Sequence, residues 1–175
     1  MNVRFLQVDT VPQEQISLWE SWLTPEKRQR LDRLPPQKRL LSLCGDGLSR
    51  EMLGEALVVA PQSVIFTTNE NGKPLTDGAY FNVSHSGTLV GCVVSEREVG
   101  LDLEEIRAVP TRLGQTLQGQ WETAEEFWQL WTQREAALKC CGEALGAWKR
   151  AAAFDLQCSD CAAPDGYVAS ICEKK

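Results

Sequence analysis

The chain has 175 residues, of which 43% are hydrophobic and 24% charged, and a formal net charge of −6. That length can bury a sizeable core in one domain or two small lobes, and the composition is that of an ordinary globular protein. The acidic balance argues against nonspecific nucleic-acid binding. No apolar run is long enough to span a bilayer, and no basic-then-apolar leader opens the chain, so a cytoplasmic protein with no membrane partner is expected.

In chain order, Val3 to Val8 reads as an opening strand. Pro12 to Leu23 carries Ile16, Trp19, Trp22 and Leu23 at helical spacing. Thr24-Pro25 has the pattern of an N-cap followed by proline at the first helical position, and it opens a basic helix that ends near Leu34, before Pro35-Pro36. A longer helix follows through Leu41, Cys44, Leu48, Met52 and Leu53. Gly45 and Gly47 weaken it locally and allow close approach of another element. Val64 to Phe66 reads as a strand, and Asn69-Glu70-Asn71-Gly72 as a turn.

Ala79 to Val83 and Leu89 to Ser95 read as two more strands, with Ser86-Gly87 turning between them. Val99 to Leu103 follows as another strand, after a turn at Glu96-Arg97-Glu98. Pro110 to Gly119 has no clear period. Glu122 to Cys141 is the longest helical pattern, with Phe127, Trp128, Leu130, Trp131 and Leu138 as its apolar stripe. Ala151 to Leu156 and Tyr167 to Cys172 read as closing strands. Helices with strands, then helix with strands, suggests two α+β lobes meeting near Gly100.

The seven cysteines are odd in number and irregularly spaced, which argues against a secreted disulfide framework. Cys158-Ser-Asp-Cys161 has CxxC spacing, but no second pair completes a zinc set, and a structural role is expected. Charge is segregated. Lys27, Arg28, Arg30, Arg33, Lys38 and Arg39 share one short segment, whereas Glu96, Glu98, Asp102, Glu104, Glu105, Glu122, Glu125 and Glu126 crowd a later one. A basic patch on an acidic protein suits an anionic small molecule or an acidic protein partner. The simpler reading is two solvated helix faces.

Asp102 and Glu104 are two apart on a strand, so both carboxylates project from one face. Like charges that close need neutralising, and oxygen-only ligands suit magnesium or calcium. The alternative is a solvated strand end. Glu135 and Lys139 are four apart on the long helix and share a face, either as a surface ion pair or as a metal ligand or base beside a phosphate-binding cation. His85 is the only histidine and sits among Ser84, Ser86 and Gly87, a setting rich in donors for a phosphate. No Walker A pattern, GxGxxG or nucleophile elbow is present.

The ordered set Gly72-Lys73-Pro74, Asn82-Val83-Ser84-His85-Ser86, Gly100-Leu101-Asp102-Leu103-Glu104 and Trp131-x-x-Arg134-Glu135-Ala136-x-x-Lys139 closely resembles the 4′-phosphopantetheinyl transferase superfamily. Within it the chain is similar to the single-chain, two-lobed group typified by the surfactin-synthetase activator. Thr24-Pro25-Glu26-Lys27-Arg28 and Gly45-Asp46-x-Leu48-x-Arg50 extend the likeness upstream.

The resemblance implies two similar α+β lobes packed pseudo-symmetrically, residues 1–98 binding nucleotide and residues 99–175 carrying the metal site and catalytic helix. It implies a monomer that moves the phosphopantetheine arm of coenzyme A to a serine of an apo acyl or peptidyl carrier protein and releases 3′,5′-bisphosphoadenosine. By the same resemblance Asp102, Glu104 and Glu135 would hold magnesium, and Glu135, Lys139 and His85 would be catalytic. Lys73, Pro74, Ser84, His85 and Lys139 would bind coenzyme A, with Arg28 and Arg33 of the basic helix.

The chain departs from the family pattern in four places. Arg134 stands where lysine is usual, Gly142-Glu143-Ala144 replaces a glycine-rich run, and the stretches between Glu105 and Trp121 and after Lys139 are short. A coenzyme A- or carrier-binding relative without turnover is therefore the second reading. A plain α+β interaction domain is the third.

Overall fold

A computed structural model describes residues 1–117, 119–143 and 155–175. The fold is α+β, with helices set against two antiparallel three-stranded sheets. The first sheet has the order β1-β5-β4, from β1 (Asn2–Gln7), β5 (Leu89–Ser95) and β4 (Tyr80–Ser86). The second has the order β6-β8-β7, from β6 (Val99–Glu105), β8 (Tyr167–Lys174) and β7 (Leu156–Cys161). A two-residue ribbon, β2 (Thr67–Thr68) with β3 (Pro74–Leu75), closes the turn at Asn69–Gly72.

Of helices α1 (Gln13–Ser21), α2 (Pro25–Asp32) and α3 (Pro36–Leu57), α3 lies on β4 and β5 of the first sheet, and α1 and α2 pack against α3. The expected cap of α2 is present: Thr24 Oγ1 accepts the amide of Lys27, and Pro25 opens the helix. In α3 the Trp19 ring lies directly against Gly47, where an added Cβ would come within 2.2 Å of it. Asp46 is buried in the middle of the same helix and meets both Arg50, at 2.8 Å, and Lys27, at 3.1 Å. The helix ends at Val58, which adopts a left-handed conformation with φ 57°.

The segment Val64 to Phe66 forms no strand. The carbonyl of Val64 accepts from Arg50 Nη1, Val64 itself is buried, and Phe66 packs on Phe81 with the Arg50 guanidinium over its ring. An apolar run there serves side-chain packing and leaves its backbone to a guanidinium, so no ladder forms. Pro110 to Gly119 contains a short helix α4 (Thr111–Gly114) and a 3-10 turn at Gln115–Leu117.

Helix α5 (Ala124–Cys141) begins with a reciprocal cap: Thr123 Oγ1 accepts the Glu126 amide, and the Glu126 carboxylate accepts the Thr123 amide. It packs on β6 and β8. Phe127 and Trp128 are fully buried, and Trp131 stacks on Phe127, so the tryptophan serves as a packing residue. At its other end Gly142 is left-handed with φ 66°. The amide of Gly142 bonds to the Lys139 carbonyl and that of Glu143 to the Leu138 carbonyl, a complete Schellman stop. A third apolar layer lies between the sheets, where Leu89 and Val93 meet Leu101, Leu103, Ala169 and Ile171.

Tyr167 to Cys172 lies within β8 as expected, whereas residues 151–154 of the other expected closing strand lie outside the described residues. Cys158 is disulfide-bonded to Cys172, its directly opposite neighbour on β8, and not to Cys161, which is free. Among the described residues no helix is long and apolar enough to cross a membrane.

Candidate active site

The site grows from a seam between the two sheets. Strands β4 and β6 are edge strands of different sheets and share no backbone ladder. Asn82 Oδ1, Ser84 Oγ and Ser86 Oγ instead accept the amides of Leu101, Leu103 and Glu105, at 3.0, 3.3 and 3.1 Å. The constant offset means that the strands run parallel. The alternation Asn-x-Ser-x-Ser aims every second side chain of β4 at an otherwise orphaned amide of β6.

The same serines reach the carboxylates. Ser84 Oγ donates to Asp102 Oδ1 at 3.0 Å, and Ser86 Oγ donates to Glu104 Oε2 at 2.7 Å. Asp102 and Glu104 therefore do share the face that looks toward β4. Lys139 reaches in from α5, with Nζ 2.7 Å from Asp102 Oδ1 and 2.9 Å from Ser84 Oγ. Ser84 thereby donates once and accepts twice, which exhausts a hydroxyl. Gly100 makes this approach possible: a Cβ there would lie 2.1 Å from the Ala136 carbonyl oxygen and 2.3 Å from the Cys140 nitrogen. The backbone of α5 thus rests directly on β6.

Glu135, one turn before Lys139, is buried beside this group. Its burial, with the charges of Asp102 and Glu104 adding to it and Lys139 opposing, pushes its pKa up to about 7. Burial also raises Asp102, against the pull of the Lys139 ammonium and the Ser84 hydroxyl. His85 stands at the exposed end of β4, where desolvation of its ring and then the Lys139 charge hold its pKa below the usual imidazole range.

Two carboxylate oxygens, Asp102 Oδ2 and Glu135 Oε1, are buried with no hydrogen-bond partner among the described residues. Buried carboxylate oxygens without donors are costly, and a cation would satisfy them. Among the described residues no three or more His, Cys, Asp or Glu side chains are gathered closely enough to hold a metal by themselves. Magnesium does not require such a cage, because it is usually held by one or two carboxylates, waters and substrate phosphates. The two unpartnered carboxylate oxygens, of Asp102 and Glu135, suit such an ion.

The remaining predicted residues stand apart from this cluster. Lys73 and Pro74 lie at the β2–β3 ribbon, and the Lys73 ammonium meets the carbonyls of Val99, Lys139 and Cys140. Arg28 donates to the carbonyl of Glu20, and Arg33 is exposed at the end of α2. No hydrogen bond or ion pair joins either arginine to the carboxylates among the described residues. Arg134 donates to Gln120 Oε1 at 2.9 Å.

Arg107 is a site residue that sequence reasoning misses. Its Nη1 lies 3.0 Å from Glu104 Oε2 and 3.1 Å from the carbonyl of Glu105, and its guanidinium stacks over the buried Trp128 ring at 4.3 Å. Trp128 Nε1 in turn donates to the Arg107 carbonyl at 2.8 Å. The only sequence signal is a lone arginine just after the acidic run, and nothing local connects it to a tryptophan 21 residues on.

The chain is 31% identical over 116 residues to the 4′-phosphopantetheinyl transferase gsp of Aneurinibacillus migulanus, covering 59% of this chain and 49% of that protein. It is 30% identical over 154 residues to psf-1 of Bacillus pumilus, covering 78% of this chain and 65% of the relative. It is 28% identical over 149 residues to Sfp of Bacillus subtilis, covering 76% and 66%. The chain belongs to the 4′-phosphopantetheinyl transferase superfamily.

The chain spans from about half to about two thirds of the length of these relatives. No family model matches it. Gly142, one of the departures from the superfamily pattern, still closes α5 with a Schellman stop, and Ala144 lies outside the described residues.

Proposed function

We propose that this chain transfers the 4′-phosphopantetheine arm of coenzyme A to a serine hydroxyl of an apo acyl or peptidyl carrier protein, in a magnesium-dependent reaction. The observation that carries this reading is the cluster of Asp102, Glu135 and Lys139, with two buried carboxylate oxygens unpartnered and one cation poised beside them. On this reading residues 1–98 and 99–175 form the two pseudo-symmetric lobes of a cytoplasmic monomer, with the site on their seam.

The chemistry is phosphoryl-type transfer, which depends on alignment and charge neutralisation. The carrier serine oxygen forms a bond to the phosphorus that bears the pantetheine arm. The bond from that phosphorus to the bridging pyrophosphate oxygen breaks, and 3′,5′-bisphosphoadenosine leaves with the electron pair. Glu135, buried beside Asp102 and Glu104, takes the proton of the serine hydroxyl. Lys139 has two of its three protons on Ser84 and Asp102, and its third has no partner among the described residues. That proton serves a pyrophosphate oxygen.

Asp102, Glu104 and Glu135 would hold magnesium, which when bound neutralises pyrophosphate charge. His85 contributes an exposed imidazole donor to a coenzyme A phosphate. By the same resemblance Pro74 flanks the nucleotide, and Arg28 and Arg33 add positive charge for coenzyme A or an acidic carrier.

The test is to incubate the protein with coenzyme A, magnesium and several apo carrier proteins, and to weigh the carriers by mass spectrometry. One phosphopantetheine increment on a carrier is expected. Coenzyme A binding without an increment on any carrier would favour a non-catalytic relative. Neither binding nor transfer would leave only an interaction domain.

A further inference from the structure

We infer that Lys73 is a positioning residue: its ammonium clasps the last turn of α5 and so holds Lys139 at the site, instead of binding a phosphate of coenzyme A. The inference rests on the transfer function proposed above.

An ammonium group has three donors. Lys73 Nζ lies 2.6 Å from the Lys139 carbonyl, 3.1 Å from the Val99 carbonyl and 3.3 Å from the Cys140 carbonyl. Three carbonyls account for three protons, so a phosphate would have to displace one of them. Two of these carbonyls belong to the final turn of α5, where the helix dipole is negative, and that of Lys139 also accepts the Gly142 amide. The third opens β6, three residues before Asp102. One cation thus ties the end of the catalytic-type helix to the start of the carboxylate strand.

The loop that carries Lys73 is built for this contact. Asn69 Oδ1 accepts the amides of Asn71, at 3.0 Å, and Lys73, at 2.8 Å, which fixes the turn. Asn71 Nδ2 donates to the Gly142 carbonyl at 2.7 Å, a second cross-link to the stop of α5. A Cβ at Gly142 would come within 2.9 Å of Asn69 Nδ2, so glycine is required there for this seating as well as for its positive φ. The shortest of the three Lys73 contacts is to the carbonyl of Lys139. The side chain of that residue bridges Ser84 and Asp102, so its backbone and its ammonium are held from opposite sides.

The experiment compares wild type with Lys73→Met and Lys73→Arg. It measures coenzyme A affinity by calorimetry, kcat and KM for coenzyme A in carrier transfer, and hydrogen exchange at amides 139–143. For Lys73→Met, kcat is expected to fall about tenfold, with coenzyme A affinity and KM within about twofold of wild type and faster exchange at those amides. Lys73→Arg should match the methionine variant, because a planar guanidinium cannot meet three carbonyls arranged for an ammonium.

A roughly tenfold loss of coenzyme A affinity in Lys73→Met that Lys73→Arg restores would overturn the inference in favour of a phosphate contact. Unchanged kcat and exchange in both variants would overturn it too. If Lys73→Met does not fold, Lys73→Arg decides by the same split. A wild type without transfer activity defeats the functional reading by itself, and exchange at amides 139–143 then still decides the clasp.

Discussion

Lys139 and Asp102 form the ion pair at the centre of the site, with Nζ 2.7 Å from Oδ1. The aspartate is almost fully buried and the lysine about one third exposed, so the pair is asymmetric. The lysine can turn toward a ligand while the carboxylate cannot leave. The other oxygen of Asp102 has no partner among the described residues.

Asp102→Ala therefore removes the proposed cation ligand and the anchor of Lys139 together. Transfer should fall at least about a thousandfold. The circular dichroism spectrum should stay that of the wild type, because Lys139 can extend into solvent. Transfer at the normal rate in this variant would refute the assignment of the metal site.

Glu135 gives a pH signature with a definite sign. Its folded pKa of about 7 lies above its ordinary value of 4.5, so the folded state holds the proton more tightly. Stability from this group is complete below pH 4.5, is lost as pH rises through about 7, and stays lost above that. Glu135→Gln should be more stable than wild type at pH 8, by about 1–3 kcal/mol in urea titrations without divalent cations, and equal to it at pH 4. Magnesium should narrow the gap at pH 8. A variant less stable than wild type at pH 8 would contradict the like-charge picture.

Gly100→Ala places a methyl group against backbone atoms of α5, at 2.1 Å from the Ala136 carbonyl oxygen. Backbone cannot rotate away as a side chain can, so the helix must shift. The expected cost is about 3 kcal/mol, read from the urea midpoint, with transfer impaired beyond what lost stability explains. Unchanged stability would mean that α5 does not rest on β6 as described.

Val58 ends α3 in a left-handed conformation with 90% of its surface exposed. A β-branched residue is strained there, and exposure means that no packing is lost on replacement. Val58→Gly should stabilise the protein by about 1 kcal/mol and leave transfer untouched. A lower melting temperature would show that the valine makes contacts beyond those seen.

The shared face of Asp102 and Glu104 was legible because strand periodicity alone sets it. The cap at Thr24-Pro25 and the turn at Asn69–Gly72 were legible for similar local reasons. The strand expected at Val64 to Phe66 was misread because apolar character does not reveal which side chain claims a carbonyl, here Arg50 on Val64. The partners of Ser84 were not legible, because a hydroxyl's remaining capacity cannot be counted without its neighbours, and those neighbours are 18, 19 and 55 positions away.

By itself the sequence determined the superfamily whose ordered motifs the chain matches. Each of those motifs is short, and its spacing follows from strand or helix geometry. Only the tertiary structure decided how their hydrogen bonds are spent. Three side chains of β4 stand in for a missing ladder on β6, Arg107 faces Glu104, and the Lys73 ammonium lies on the carbonyls of a helix 66 residues away. Donors and acceptors are satisfied by whatever the packed chain brings within 3 Å or so, and no local pattern encodes that.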